Sequence, residues 1–140
     1  MAFGDYLQLQ RENQGFAADL ALDGSAVAAT HVKTVRANHT IFVQRIVLSI
    51  TTHANGKVFT VQDDNTSPKI IANRVDLTAA AGVPDCIVWD FGPIGIALTA
   101  GKNLDYVAGT GGSGLVGVVH IEGYQKLTST INTGTANTAN

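Results

Sequence analysis

Short stretches in which apolar and polar residues alternate recur along this sequence from residue 28 to residue 127. In the clearest stretch, Ile41 to Thr52, the predicted inward face consists of Phe42, Ile46, Leu48 and Ile50, and the outward face consists of Arg45, Ser49 and Thr51. A period of two is typical of a strand that buries one of its faces. Turn-forming residues separate about seven or eight such stretches, and no long helical pattern occurs. The sequence therefore predicts an antiparallel, all-β sandwich or barrel, without fixing the order of its strands.

The turns and apolar residues also predict how individual strands pack. Asn55-Gly56 stands between two β-prone stretches, and because both residues tolerate a positive φ, the dipeptide predicts a tight hairpin. Further along, the stretch from Cys86 to Phe91 has an apolar face that we expect to form much of the core, and this face consists of Ile87, Trp89 and Phe91. Cys86 itself is interpreted as a small buried hydrophobic residue.

Composition limits the classes of protein that this chain can belong to. Its 140 residues fit a single domain. Its charged fraction of 14 % is well below the usual value of about a quarter, which disfavours long solvent-exposed helices. The single cysteine excludes an intramolecular disulfide and a zinc site built from cysteines. Neither a transmembrane run nor a signal peptide is recognisable, so we expect synthesis in a cytoplasm and no membrane partner.

Three segments are predicted. Residues 1–24 are interpreted as an extended N-terminal arm, residues 25–127 as the sandwich domain, and residues 128–140 as a flexible, low-complexity tail of Thr, Asn, Gly and Ala. The arm is too apolar for a free linker. Its first part carries the side chains that we expect to anchor it on a neighbouring subunit or on its own domain: Phe3, Tyr6, Leu7 and Leu9.

The motifs that suggest chemistry do not build a catalytic or cofactor site. Gly109 to Gly114 matches G-x-G-x-x-G, but the residues that follow are strand-like, whereas a dinucleotide site requires a helix there. Asp63 to Ser67 begins like a calcium loop, yet Pro68 replaces the turn glycine and Arg74 the bidentate glutamate. A weak cation site on that loop stays open. We expect no enzyme activity, no cofactor, no catalytic residue and no histidine-based metal site.

The charge distribution gives no support for nucleic-acid binding. The net charge is −2 at pH 7. The middle of the chain is basic, with Arg36, Arg45, Lys57 and Arg74, but exposed aromatic residues are not interleaved with these charges. We therefore expect no nucleic-acid partner.

Two segments in the second half of the chain carry a resemblance to a known family. They read WDFGPIGIALTAGKNL (Trp89 to Leu104) and, after a glycine-rich turn, VVHIEGY (Val118 to Tyr124). This arrangement resembles the final strands of the small jelly-roll proteins of tailed-phage virions, which include capsid decoration (cement) proteins and related head and tail accessory proteins. The similarity covers roughly residues 28–127.

The resemblance implies a jelly-roll or tumour-necrosis-factor-like sandwich that is not catalytic. It further implies self-association, as a homotrimer, and attachment to the major capsid protein or another virion protein. The chain would then be a decoration protein that stabilises a capsid and resides in the virion after synthesis in the host cytoplasm.

A binding module of a phage tail or fibre is the alternative interpretation, because jelly rolls also serve as lectins. Such a module would recognise a carbohydrate or a receptor. A sugar site needs exposed aromatic side chains, and the best candidates are Tyr106 and Tyr124. For both residues, a place in the core or in a subunit interface is the competing expectation.

Overall fold

The computed structural model describes residues 14–24, 28–76, 85–109 and 115–128. These residues form nine β-strands and no helix. The strands are β1 (Gln14–Ala21), β2 (Thr30–Lys33), β3 (His39–Thr52), β4 (Val58–Asp63), β5 (Ile70–Val75), β6 (Asp85–Asp90), β7 (Ile96–Ala97), β8 (Leu104–Ala108) and β9 (Val116–Leu127).

Two antiparallel sheets pack against each other as a sandwich. The first sheet has the order β1-β9-β3-β6, with the short β7 also paired to β3, and the second has the order β2-β8-β4-β5. The pairs β1–β9, β2–β8, β3–β6 and β4–β5 are nested, so the chain is one long antiparallel ribbon rolled into two sheets. Apart from the short β7, this is the strand order of an eight-stranded jelly roll, and it confirms the predicted antiparallel, all-β sandwich.

The core lies between the sheets and is contributed by the inward faces of the long strands. Its largest fully buried side chains are Tyr106, Phe59, Ile41, Ile46, Leu48, Ile50, Leu104, Leu115 and Ile121. The predicted face of β6 packs against this cluster through Ile87 and Trp89, which are half-buried rather than central. The ring centroid of Trp89 lies 6.0 Å from the ring centroid of Phe59 in the opposite sheet.

A β-bulge between Val43 and Arg45 interrupts the pairing of β3 with β9. The residue of β9 that faces it is Gly123, which pairs with Val43. A β-carbon on Gly123 would overlap the carbonyl oxygen of Phe42. The close approach of the two backbones at the bulge therefore requires glycine at position 123.

This bulge makes one predicted orientation wrong. Phe42 was expected to point into the core, but Ile41 and Val43 do so, while Phe42 stacks on Tyr124 on the outer face. After the extra residue the alternation is reversed, and Ile46 again points inward, as predicted. An inserted residue shifts the period-two pattern by one position. A prediction that assumes unbroken alternation along the whole strand therefore places the residues before or after the bulge on the wrong face of the sheet.

Three further expectations require correction. Asn55-Gly56 does form a turn, but it connects β3 in the first sheet to β4 in the second, so the two strands are not a hairpin. Cys86 is exposed, because it lies at an outward position of β6 opposite Ser49. The sandwich also begins before residue 25, since residues 14–21 of the predicted arm form the edge strand β1.

Candidate interaction surface

The outer face of the first sheet carries a group of valines that no other part of the described chain covers. Val47 pairs with Val88 across β3 and β6, and the outward positions of β9 add Val116 and Val118. Val88, Val116 and Val118 are 48 %, 52 % and 45 % exposed. We call these four residues the valine face. Exposed Cys86 adjoins it, because Cys86 and Val118 both pair with Ser49.

A histidine between two carboxylates borders the valine face. His120 pairs with Val47 on one side and with Asp19 on the other. Its Nδ1 atom lies 2.7 Å from Asp19 Oδ1, and its Nε2 atom lies 3.0 Å from Glu122 Oε2. The hydrogen bond to Glu122, together with the one to Asp19, raises the pKa of His120. Both carboxylates favour the protonated ring, because each accepts one of its N–H groups.

The next row of the same face carries alternating charge. Arg45 is the cross-strand partner of Glu122 on one side and of Asp90 on the other. These three residues, with Gln44 and Pro93, line a shallow pocket of about 360 Å³. Directly opposed charges of unlike sign favour this register of the strands.

An aromatic pair completes this face of the sheet. The rings of Phe42 and Tyr124 are stacked, with their centroids 5.1 Å apart and their planes 2° from parallel. The hydroxyl of Tyr124 donates to the carbonyl oxygen of Ile94 at 2.8 Å. Beside Tyr124 is a second shallow pocket, of about 440 Å³, which also contacts Gly15 and Lys126.

The outer face of the second sheet carries exposed apolar residues at both ends, separated by the pair Thr60 and Asn73. Val58 pairs with Val75 at one end, and both are exposed. At the other end Ile70 is 53 % exposed, in the row that contains Asp105 and His31. The His31 Nδ1 to Asp105 Oδ1 distance is 3.3 Å. Burial raises the pKa of Asp105 more than the hydrogen bond to His31 lowers it.

The loop that resembled the start of a calcium site uses its carboxylates within the protein. Asp63 is fully buried and accepts three backbone N–H groups, from Asn65 at 3.2 Å, Lys69 at 2.8 Å and Thr99 at 3.0 Å. Burial opposes the ionisation of Asp63, but the hydrogen bonds from the Thr99 hydroxyl and these amides outweigh it and lower its pKa. The carboxylate therefore fastens two loops together.

The neighbouring Asp64 has a similar role at the surface. Its two oxygens accept the backbone N–H of Asn103 at 2.9 Å and the side-chain amide of Asn103 at 2.8 Å. The other side-chain atom of Asn103, its oxygen, accepts the N–H of Val35 at 2.8 Å. Three loops thus meet at this junction.

The four histidines do not converge. His53 is buried, and its Nδ1 atom lies 3.0 Å from Asp76, while His39 bonds to the carbonyl oxygen of Ala37 at 2.8 Å. Within the described ranges, no three His, Cys, Asp or Glu side chains form a group able to hold a metal ion. The same ranges contain no helix long and apolar enough to cross a membrane.

The structure separates the two predicted glycan contacts. Tyr106 is 1 % exposed, and its hydroxyl bonds to the carbonyl oxygen of Ala21 and the N–H of Asp23, so it is a core residue with no surface for a sugar. Tyr124 lies on the outer face. The predicted anchor residues lie outside the described residues: Phe3, Tyr6, Leu7 and Leu9.

The sequence did not identify the cluster of His120 with Asp19, or the pairing of Phe42 with Tyr124. Asp19 and His120 are 101 residues apart in the chain, and only the pairing of β1 with β9 brings them together. The alternation V-V-H-I-E, which puts His120 and Glu122 on one face, was the available signal.

No protein-family model, curated protein or solved structure matches this chain.

Proposed function

We propose that this protein is a non-catalytic structural subunit of a phage particle, a decoration protein that self-associates as a homotrimer and stabilises the capsid. The observation that carries the proposal is the uncovered valine face on a jelly-roll sandwich. A subunit that assembles needs such a surface, because burying apolar area is the main driving force of protein association.

The contrast between the two sheets supports this assignment of the contact surface. Contiguous exposed apolar groups on a soluble domain mark interaction sites more often than isolated ones do. The valine face spans three adjacent strands with Ser49 as the polar residue among its valines, and charged rows border it at His120 and Arg45. An apolar centre with a polar rim is the usual composition of a protein interface.

The polar clusters support a structural rather than a catalytic role. Asp63 and Asp64 accept backbone and amide hydrogen bonds that join loops. His120 is held between Asp19 and Glu122 on a flat sheet surface. None of these arrangements places a nucleophile beside a general base in a cleft, the arrangement that nucleophilic acyl transfer uses.

The test is the solution mass of the purified protein by light scattering, repeated after mixing with undecorated phage heads. A stable trimer that co-sediments with the heads supports the proposal, and a monomer that does not bind the heads contradicts it. Cys86, the only cysteine, is exposed beside the valine face, so its reactivity indicates whether that face is covered. Its labelling by a maleimide should slow on assembly if the valine face is covered.

A matched pair of variants locates the contact. Val118 and Val75 are each 45 % exposed, on the outer faces of different sheets. Val118→Asp should prevent self-association or binding to heads, because it places a charge in the buried interface. Val75→Asp should leave both unchanged. Equal effects of the two variants would contradict the assignment of the valine face.

The second candidate function is a carbohydrate- or receptor-binding module of a phage tail or fibre. The specific observation that favours it is Tyr124, whose ring stands on the outer face next to a pocket with polar neighbours. A glycan-binding screen distinguishes the two candidates, since a capsid subunit does not require a sugar.

A further inference from the structure

One cross-strand row of the first sheet contains two aromatic rings followed by a gap. Phe42 pairs with Tyr124, and Tyr124 pairs on its other side with Gly15 of the edge strand β1. The ring centroids of Phe42 and Tyr124 are 5.1 Å apart, close to the spacing between neighbouring strands of about 4.8 Å, so the rings stack along the row. On the other side of Tyr124 the row continues to Gly15, which has no side chain, and both residues line the same pocket.

The gap is a slot between Tyr124 and the edge strand β1. It belongs to the pocket of about 440 Å³ whose lining is Gly15, Gln44, Gly123, Tyr124 and Lys126. A side chain at position 15 would fill the slot. A β-carbon there would have only an ordinary contact, 3.8 Å from the carbonyl oxygen of Gly123, so packing does not demand glycine at this position.

The ring that forms the wall of the slot is held in place before any ligand arrives. Stacking on Phe42 fixes one face of Tyr124, and its hydroxyl donates to Ile94 at 2.8 Å. Gln44, at the other end of the pocket, is held as well, because its side-chain amide donates to the carbonyl oxygen of Pro93 at 2.6 Å. A preorganised site loses little conformational entropy when it binds.

We propose that this slot binds a single pyranose ring of a polysaccharide, stacked on Tyr124 and hydrogen-bonded at its edge by Lys126 and Gln44. A sugar ring has a flat face of C–H groups for the aromatic wall and hydroxyls around its edge for the polar neighbours. An aromatic side chain of a partner protein lacks those hydroxyls.

The direct test is a titration of the isotopically labelled protein with methyl pyranosides of glucose, galactose, mannose, N-acetylglucosamine and glucuronic acid, followed by NMR. We expect at least one glycoside to give saturable shifts at Gly15, Gly123 and Tyr124, with a Kd on the order of 1 mM for one ring. If none of the five glycosides shifts these resonances, or if the shifts fall elsewhere on the domain, the proposal is wrong.

Variants separate a filled slot from a damaged fold. Gly15→Val occupies the slot with a residue that favours strands and should weaken binding more than tenfold. Ala21→Val makes a similar change further along the same strand and face, and it should leave the affinity unchanged. Wild-type affinity in Gly15→Val would overturn the proposal.

Two substitutions at the aromatic wall give an independent readout. Tyr124→Phe keeps the ring and should retain most of the affinity, whereas Tyr124→Leu should abolish the saturable shifts. Equal effects of the two would contradict stacking on the ring. The proposal deepens the second candidate function and does not rest on the capsid role: Gly15→Val tests sugar binding, and Val118→Asp tests assembly, so either can fail while the other holds.

Discussion

Gly123 of β9 lies so close to the carbonyl oxygen of Phe42 in β3 that no β-carbon fits between them. The contact is made between the two longest strands of the first sheet, where β3 bulges. A second glycine of β9, Gly117, meets the carbonyl oxygen of Ser49 in the same way at the second bulge of β3. Both irregularities of the central pair are therefore matched by a glycine on the partner strand.

Gly123→Ala should destabilise the domain by roughly 3 kcal/mol, because backbone rather than a movable side chain must yield to the new methyl group. Gly15→Ala is the matched control, since a β-carbon has space at position 15. It should be neutral or stabilising by up to about 1 kcal/mol. Urea unfolding of the two variants beside the wild type measures the difference. Similar stabilities for the two would show that β3 and β9 can separate at the bulge.

Asp63→Asn should lower the free energy of unfolding by roughly 2–4 kcal/mol, because one amide oxygen cannot serve all the N–H groups that the carboxylate accepts. The exposed Asp64→Asn should lower it by about 1 kcal/mol or less. Folding lowers the pKa of Asp63 below its ordinary value of 3.8. The contribution of the Asp63 carboxylate to the free energy of unfolding is therefore complete above pH 3.8, and it is lost as the pH falls through the folded-state pKa.

Unfolding curves recorded between about pH 5 and pH 2 check this dependence. The wild type should lose stability in that interval more steeply than Asp63→Asn. Parallel curves for the two proteins would mean that Asp63 does not carry the acid sensitivity.

His120→Gln should destabilise the domain in mild acid and have little effect in mild alkali. Glu122 and Asp19 raise the pKa of His120 on folding. The contribution of His120 to the free energy of unfolding is therefore present below its unfolded-state pKa of about 6.5, and it is lost as the pH rises through the folded-state pKa. The side chain of Asp19 is largely exposed and that of Glu122 is partly exposed, which limits the effect to about 1 kcal/mol or less. NMR titration of His120 should give a pKa above the ordinary value and a lower one in Glu122→Gln. A titration at or below 6.5 in the wild type would contradict the geometry.

Cys86 should react with a maleimide in the folded, unassembled protein without added denaturant. It lies at an outward position of β6 and is exposed. Mass spectrometry of the labelled protein gives the extent of reaction, and Cys86→Ser is the blank. If labelling of a confirmed monomer requires urea, the outward orientation of Cys86 is wrong.

Tyr106→Phe should cost about 1 kcal/mol, since the hydroxyl bonds to the backbone of Ala21 and Asp23. These bonds tie the end of β1 to the second sheet, where Tyr106 lies in β8. Hydrogen exchange should therefore accelerate in β1 more than in β5. Uniform acceleration would mean that the bond stabilises the whole domain and not the edge strand.

The limits of the sequence are visible at particular residues. Alternation correctly placed Ile46, Leu48 and Ile50 in the core, because burial of one face imposes a period of two. Alternation misplaced Phe42, because the bulge adds one residue to β3 and nothing in the sequence of β3 indicates it. The residue that accompanies the bulge is Gly123, which lies on another strand, 81 positions away from Phe42.

The turn at Asn55-Gly56 failed as a hairpin for a related reason. Local turn chemistry sets the conformation of Gly56, whose φ is 82°, but not whether the next strand pairs or crosses to the other sheet. The sequence likewise did not indicate the candidate interaction surface. His120 and Asp19, or Tyr124 and Gly15, become neighbours only through the pairing of the first and last strands.

The nested pairing of the strands makes β4 with β5 the most local pair and β1 with β9 the most distant pair in the chain, and we expect folding to follow that order. β4 and β5, at the centre of the ribbon, are joined by a short loop and can pair as soon as both exist. β1 pairs with β9 alone, so the slot beside Tyr124 and the cluster around His120 do not exist until the last strand has been synthesised. Contacts across so long a stretch of chain form slowly. We therefore expect the emerging chain to expose the inward faces of β1 and β3 during translation, until β9 pairs with both strands and completes the first sheet.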